Sequence, residues 1–96
     1  MKRIINNNIR NQCKFYKYGS ILKKPILIIK APKGFLVCKY FDINTANKTK
    51  EAICTFSNVN SFIDILNSDT IDVSEKAKKY GIKKGMNGYD VVHKLL

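Results

Sequence analysis

Apolar residues in the first half of the chain recur at the short spacing of β-strands. The β-branched run at 25–30 predicts a buried strand. The Pro and Gly of the turn at 31–34 lead into a partner strand at 35–41. Residues 13–18 and 52–56 predict two further strands. Aromatic residues fall on both faces of the 13–18 strand, so its pattern is not cleanly one-sided.

Three shorter segments are less regular. Residues 4–5 predict a short first strand. The polar stretch 42–50 predicts a short helix capped by Asp42 or Asn44. A crossover helix at that place would make the strands on either side of it parallel. Residues 70–73 predict either an extended link or a last edge strand.

In the second half of the chain the apolar spacing changes to that of helices. One helix is predicted at 59–66. A second is predicted to begin at Asp72 or Ser74 and to end before Gly81, which suits the left-handed position that follows a helix. The last helix is predicted to begin at Asn87, a strong N-cap residue.

These elements predict an α+β fold, with a mainly antiparallel sheet from 1–56 packed against helices drawn mostly from 59–96. The sheet is mixed if 42–50 forms the crossover. A chain of 96 residues is long enough for one core without disulfides or metal ions, so 1–96 is predicted to be a single domain. An open sheet with aromatic residues at its edge also predicts self-association as a homo-oligomer.

The positive charge is concentrated in the first half of the chain. The net charge is +11, and residues 1–50 hold 12 Lys or Arg and one acid, whereas 51–96 hold six of each. A concentrated positive surface attracts polyanions, so one hypothesis is contact with an anionic partner. The alternative is a lysine-rich solubilising surface. Sixteen of the 18 basic residues are Lys, which fits phosphates and bases less well than Arg, so nucleic acid is not the favoured partner.

The sequence indicates a cytoplasmic protein without a membrane anchor. No apolar run approaches the roughly 20 residues that span a bilayer, and the first residues lack the apolar stretch of a secretion signal. The cysteines Cys13, Cys38 and Cys54 are widely spaced and form no Cys-x-x-Cys pair, which is typical of free thiols in a reducing compartment. The residue spacing predicts neither a metal site nor a cofactor.

The segment around Cys38 is the first candidate for chemistry. One hypothesis is a nucleophilic or redox-sensing thiol at Cys38, with Asp42 as a second catalytic residue. Lys39 and Tyr40 are then candidate binding residues beside it. His93, the one histidine, lies far away in sequence and is a conceivable partner of the thiol. A buried structural cysteine, the usual role of a free thiol, is the favoured explanation of Cys38.

Two other segments are candidates for binding. Lys83 and Lys84 precede the helix start at Asn87, and such a start beside lysines can bind an anion. Backbone geometry is the favoured explanation of the glycines around them. In 14–18, aromatic residues alternate with lysines, which is typical either of a stacking platform for single-stranded nucleic acid or of a half-buried amphipathic strand.

Two stretches resemble a known family. They read GFLVCKYFDI at 34–43, followed by Glu-Ala-Ile at 51–53, and KYGIKKGMNGYDV at 79–91. Over 25–96 the chain resembles the YunC-like family of small bacterial and archaeal proteins of unknown function. The family pattern is Gly-x-x-x-Cys-Gly-Tyr-Leu-Asp, an Asp/Glu-Ala-Ala segment and Gly-Ile-x-x-Gly-Met-x-Gly. The resemblance implies a compact α+β domain and no established activity.

The chain also departs from that pattern. Lys39, Lys50 and Asn58 stand where the family usually has glycine. If those glycines let a ligand approach the backbone, the site is lost or altered in this chain. Three residues match the cysteine motif and are the first candidates for a family site: Cys38, Tyr40 and Asp42.

Three function hypotheses follow from these observations. The first is a non-enzymatic binding or interaction module, with a basic surface for an anionic partner. The second is a small thiol-dependent enzyme or redox sensor centred on Cys38. The third is an RNA- or DNA-binding protein.

Overall fold

The computed structural model describes residues 3–19, 25–39 and 41–96, and it places helices on both faces of a five-stranded sheet. The strands are β1 Lys14–Tyr18, β2 Ile26–Ala31, β3 Gly34–Cys38, β4 Ile53–Phe56 and β5 Asp72–Val73. The helices are α1 Asn7–Gln12, α2 Ile43–Thr49, α3 Phe62–Leu66, α4 Glu75–Lys79 and α5 Gly88–Leu95. The strands stand side by side in chain order, and all neighbours pair antiparallel except β3 and β4.

The predicted α+β fold is confirmed, and the sheet is mixed. The helix expected at 42–50 is α2, and it forms the crossover that makes β3 and β4 parallel. Asp42 caps it, because its Oδ1 accepts the Asn44 N–H at 2.9 Å. The segment at 70–73 ends as the edge strand β5, which pairs with β4 through Cys54 and Thr55.

The strand expected at 4–5 is wrong. Those residues have no regular structure, and the next segment forms α1 instead. Asn6 caps α1 by accepting the Ile9 N–H at 2.8 Å, and Ile9 is its one buried side chain. A helix with a single apolar residue has no 3.6-residue period to detect, so the sequence pattern could not reveal it.

The principal core lies between one sheet face and the helices α3 and α5. Leu27, Ile29, Leu36 and Cys54 point to this side and are fully buried. At the sheet edge, Phe15 reaches the same layer and packs edge-to-face on Phe62, with ring centroids 5.2 Å apart. The helix layer is thereby tied to the strand at the far edge.

The opposite sheet face is covered only in part. Val37 and Thr55 are paired neighbours on this face and are buried, although they lie outside the principal core. Helix α2, with its buried Ala46, packs against β4 and covers them. Since a crossover helix lies over the two strands it joins, α2 leaves β1 and β2 uncovered on this side.

Local signals place the ends of the last two helices as expected. Ser74 caps α4, Gly81 follows it at φ 85°, and Asn87 caps α5. Helix α3 starts later than the predicted 59–66, because Ser61 caps it by accepting the Asp64 N–H at 3.1 Å. Within the described ranges, none of the helices has the length and apolarity needed to cross a bilayer.

Candidate functional site

The uncovered part of the sheet carries aromatic and basic side chains together. We call this surface, formed by Lys14, Tyr16 and Tyr18 of β1 with Ile28 and Lys30 of β2, the basic face. Alternate residues of a strand share one side, and the register sets Tyr16 against Ile28. Tyr16 is 37% exposed and Tyr18 57%, and both lysines are exposed. Tyr18 is therefore mostly exposed and Tyr16 partly exposed, beside a half-buried isoleucine.

The basic face holds uncompensated positive charge. Lys14 and Lys30 are directly opposite each other on paired strands, an arrangement that destabilises a sheet. Neither lysine makes an ion pair with any described acid. The ion pairs found in the described ranges, Lys78 with Glu75 and Lys84 with Asp72, both lie in the second half of the chain. The repulsion between Lys14 and Lys30 would be relieved by a bound anion.

A second candidate surface, a cleft, lies where the parallel strands β3 and β4 end. Ligands of sheets with parallel strands commonly bind outside such carboxyl ends. The cleft has a volume of about 550 Å³, and we call it the strand-end cleft. Its lining residues are Pro25, Cys38, Lys39, Phe56, Ser57, Asn58 and Val59.

Two residues of the sequence-predicted thiol site meet in the strand-end cleft. Cys38 and Lys39 both line it. Cys38 is only 5% exposed, and its Sγ accepts the Leu27 N–H at 3.5 Å. Asp42 is not among the lining residues and is engaged as the cap of α2. Tyr40 lies outside the described residues.

The single histidine is engaged elsewhere. His93 Nδ1 lies 2.8 Å from the Tyr89 carbonyl oxygen, and its ring lies 4.4 Å from the Tyr89 ring. His93 is exposed on α5, and no contact with Cys38 is seen in the described part of the chain. The geometry thus offers Cys38 no imidazole base of the kind that activates catalytic thiols.

Two residues of the predicted anion site at the start of α5 make contacts within the chain. Asn87 Oδ1 accepts the Tyr89 N–H at 3.0 Å, and Lys84 lies 3.9 Å from the Asp72 carboxylate. Lys83 is exposed. Gly85 has a φ of 86°, a conformation that glycine adopts without strain. These three candidates contribute to neither the basic face nor the strand-end cleft.

Burial holds the other two thiols in the protonated form. Burial raises the pKa of Cys54 from 9.0 to about 12, and it raises the pKa of Cys13 as well. Since the thiolate is the nucleophile, a raised pKa makes both residues less reactive near neutral pH than an ordinary cysteine. Cys38 is the cysteine that lines a cleft.

Sequence reasoning missed part of both surfaces. Ile28 and Lys30 lie in a run of apolar residues that reads as buried on both sides, and only the register reveals that they share a face with the tyrosines. Ser57 and Asn58 carry no pattern of their own. The one sequence signal for Asn58 is that it stands at a position where the family usually has glycine.

Two of the departures from the family pattern coincide with unusual backbone. Lys50 has a φ of 59° and Asn58 a φ of 56°, and both are in the left-handed region that glycine adopts freely. The left-handed backbone therefore explains why the family usually has glycine at these two positions. Lys39 differs, since it adds an exposed cationic side chain to the strand-end cleft.

Replacing Lys50 by glycine is expected to stabilise the protein. Lys50 is the left-handed C-cap of α2, where a side chain costs about 1–2 kcal/mol that glycine avoids. After subtracting the extra chain entropy of glycine, K50G should raise the free energy of unfolding by about 0.5–1 kcal/mol. The matched control is K48G within α2, which should lower it by about 1 kcal/mol. Urea unfolding measures both, and an equal loss in both variants would contradict the backbone explanation.

Comparisons with known proteins agree on a family without an assigned function. Residues 37–95, more than half of the chain, match the model of a family described as Domain of unknown function (DUF1805). The chain is also similar to the crystal structure of a protein of unknown function from Thermoplasma acidophilum. That likeness has a TM-score of 0.82 and 30% sequence identity, and it covers 88% of this chain and 81% of the other. No curated protein matches the sequence.

Proposed function

The chain belongs to the family described as Domain of unknown function (DUF1805), and from its geometry we propose that it is a non-enzymatic binding module that takes an anionic partner on the basic face. The observation that carries the proposal is the pairing of Lys14 with Lys30 beside the exposed Tyr16. A like-charged pair with no described acid in contact is stabilised by an anion from outside the chain.

The distribution of charge supports this proposal. The first half of the chain has 12 basic residues and one acid, and that acid caps α2. An anion approaching β1 and β2 therefore meets a part of the chain rich in cations, which raises its rate of encounter at low salt.

The binding surface is tested by removing the charges of its two lysines. The double variant K14Q/K30Q is expected to weaken binding to heparin, and to reduce the slope of log K against log salt by about 2, because each lysine that contacts an anion contributes about 1. Both side chains are exposed, so the fold should survive. Binding is measured by titration at several salt concentrations.

The control variant has the same net charge as K14Q/K30Q. The variant K76Q/K94Q removes two exposed lysines from the second half of the chain and should leave the slope unchanged. If both double variants weaken binding equally, the effect comes from net charge and the proposed surface is wrong.

The strand-end cleft supports a second candidate function, that of a thiol enzyme or redox sensor, because the Cys38 thiol lines it. If the protein is instead the non-enzymatic module proposed above, iodoacetamide at pH 7.5 should alkylate Cys38 only as fast as the protein unfolds, since its side chain is 5% exposed. Cys54, fully buried with a pKa raised to about 12, is the internal reference. Mass spectrometry of the labelled peptides measures both residues. Labelling of Cys38 well ahead of Cys54 would instead favour a thiol enzyme or redox sensor.

We also place the protein in the cytoplasm. All three cysteines are free and buried, a state suited to a reducing compartment. The partner is then an anionic species of that compartment.

A further inference from the structure

We propose, on the basis of the function proposed above, that the anionic partner is single-stranded nucleic acid, with bases stacked on Tyr16 and Tyr18 and phosphates held by Lys14 and Lys30. The same sheet surface carries two tyrosines, each at least partly exposed, and two exposed lysines. Proteins that bind single strands without base-edge recognition combine these two features.

The spacing of the tyrosines suits successive bases. Tyr16 and Tyr18 are two residues apart on one strand, so their side chains leave the same side of β1 about 6.6–6.8 Å apart. Phe15, between Lys14 and Tyr16, turns to the other side and packs on Phe62. The core therefore uses one aromatic ring of this strand and leaves two for a ligand.

The arrangement of charge favours a flexible strand over a duplex. Lys14 and Lys30 lie at the end of the face opposite to Tyr18, so a strand running along β1 meets cations and then rings. Base pairs in a duplex are stacked on each other and offer no free ring faces to Tyr16 or Tyr18. Lysine also holds phosphate as a point charge without a fixed geometry, which suits binding that tolerates any sequence.

A second copy of the chain is a poorer occupant of this surface. In a symmetric pair each basic face would meet another basic face, and Lys14 and Lys30 would approach two further cations. Sulfated or phosphorylated polymers satisfy the lysines but offer nothing to stack on the tyrosines. The contribution of the rings therefore distinguishes nucleic acid from other polyanions.

The decisive variants change the rings and keep the charge. Removal of a stacking ring costs about 1–3 kcal/mol per base, so Y16L/Y18L should bind a dye-labelled oligothymidylate of about 15 nucleotides at least tenfold more weakly. The matched control Y16F/Y18F keeps both rings and should bind like the wild type. Fluorescence anisotropy measures the affinities, and thermal unfolding confirms that each variant is folded.

The outcomes separate this inference from the proposed function. Loss of binding in Y16L/Y18L but not in Y16F/Y18F, with weaker binding to a duplex of equal length, supports single-stranded nucleic acid. Equal binding of oligothymidylate by both tyrosine variants, together with a loss in K14Q/K30Q, overturns the stacking inference and leaves a different anionic partner. No salt-dependent binding to oligothymidylate, duplex or heparin refutes both proposals. A homodimer by sedimentation that Y16L/Y18L dissociates would assign the face to a second copy and overturn the inference.

Discussion

G88A is expected to lower the free energy of unfolding by about 3 kcal/mol. Gly88 is the first residue of α5, and its N–H donates to the Ser68 carbonyl oxygen at 2.9 Å, which holds it against the end of α3. A Cβ at this position would overlap the carbonyl oxygen of Ile65 and lie 2.8 Å from its carbonyl carbon. Since the neighbour is backbone, the two helices must separate to make room. Urea or thermal unfolding of the variant measures the loss.

The control for this effect is G85A in the loop before α5. Gly85 has a φ of 86°, but a Cβ there would meet nothing within 4 Å. G85A therefore reports backbone strain alone, about 1–2 kcal/mol. If G88A costs no more than G85A, close approach of α3 and α5 is not the reason for glycine at position 88.

S74A is expected to cost about 3 kcal/mol, because a single buried hydroxyl joins three backbone groups. Ser74 Oγ accepts the Ile53 N–H at 2.9 Å and donates to the Glu51 carbonyl oxygen at 2.7 Å. It also accepts the Ala77 N–H at 3.4 Å as the cap of α4. Alanine would leave a part-buried N–H at the start of β4 without its partner, and an unsatisfied buried group costs about 1–3 kcal/mol. Chemical denaturation of S74A measures the change.

A helix cap that acts through one hydrogen bond provides the comparison. Ser61 caps α3 through one hydrogen bond to the Asp64 N–H, so S61A should cost about 1 kcal/mol. The difference in unfolding free energy between S74A and S61A measures how much the hydrogen bonds that link Ser74 to the start of β4 stabilise the protein. If S74A and S61A cost the same, Ser74 acts only as a helix cap.

The elements with strong local signals could be predicted from the sequence. The hairpin of β2 and β3 is marked by a turn between two apolar strands, and α4 and α5 are marked by Ser74, Gly81 and Asn87. Helix α1 and the late start of α3 were missed, since α1 buries only Ile9 and the cap of α3 competes with several nearby polar residues. Local helix preferences are weak in both segments, so packing determines where the helix forms.

The sequence predicted only part of the strand-end cleft. Cys38 and Lys39 were named together and do share the strand-end cleft, whereas Ser57 and Asn58 come from a different strand end. Their meeting depends on the parallel pairing of β3 and β4, which depends in turn on where the crossover helix packs. The polar stretch at 42–50 indicated the crossover helix, but not that the ends of β3 and β4 would line a cleft together.

By itself, the sequence determined the fold class, the helix ends marked by caps, and the concentration of positive charge in the first half, because propensity, capping and charge are local properties. The tertiary structure decided which charges and rings share a surface. Lys14 and Lys30 are 16 positions apart in sequence and become neighbours only through the register of β1 and β2. Helix α2 then covers Val37 and Thr55 but not the tyrosines, so the exposed face is set by which strands a helix crosses.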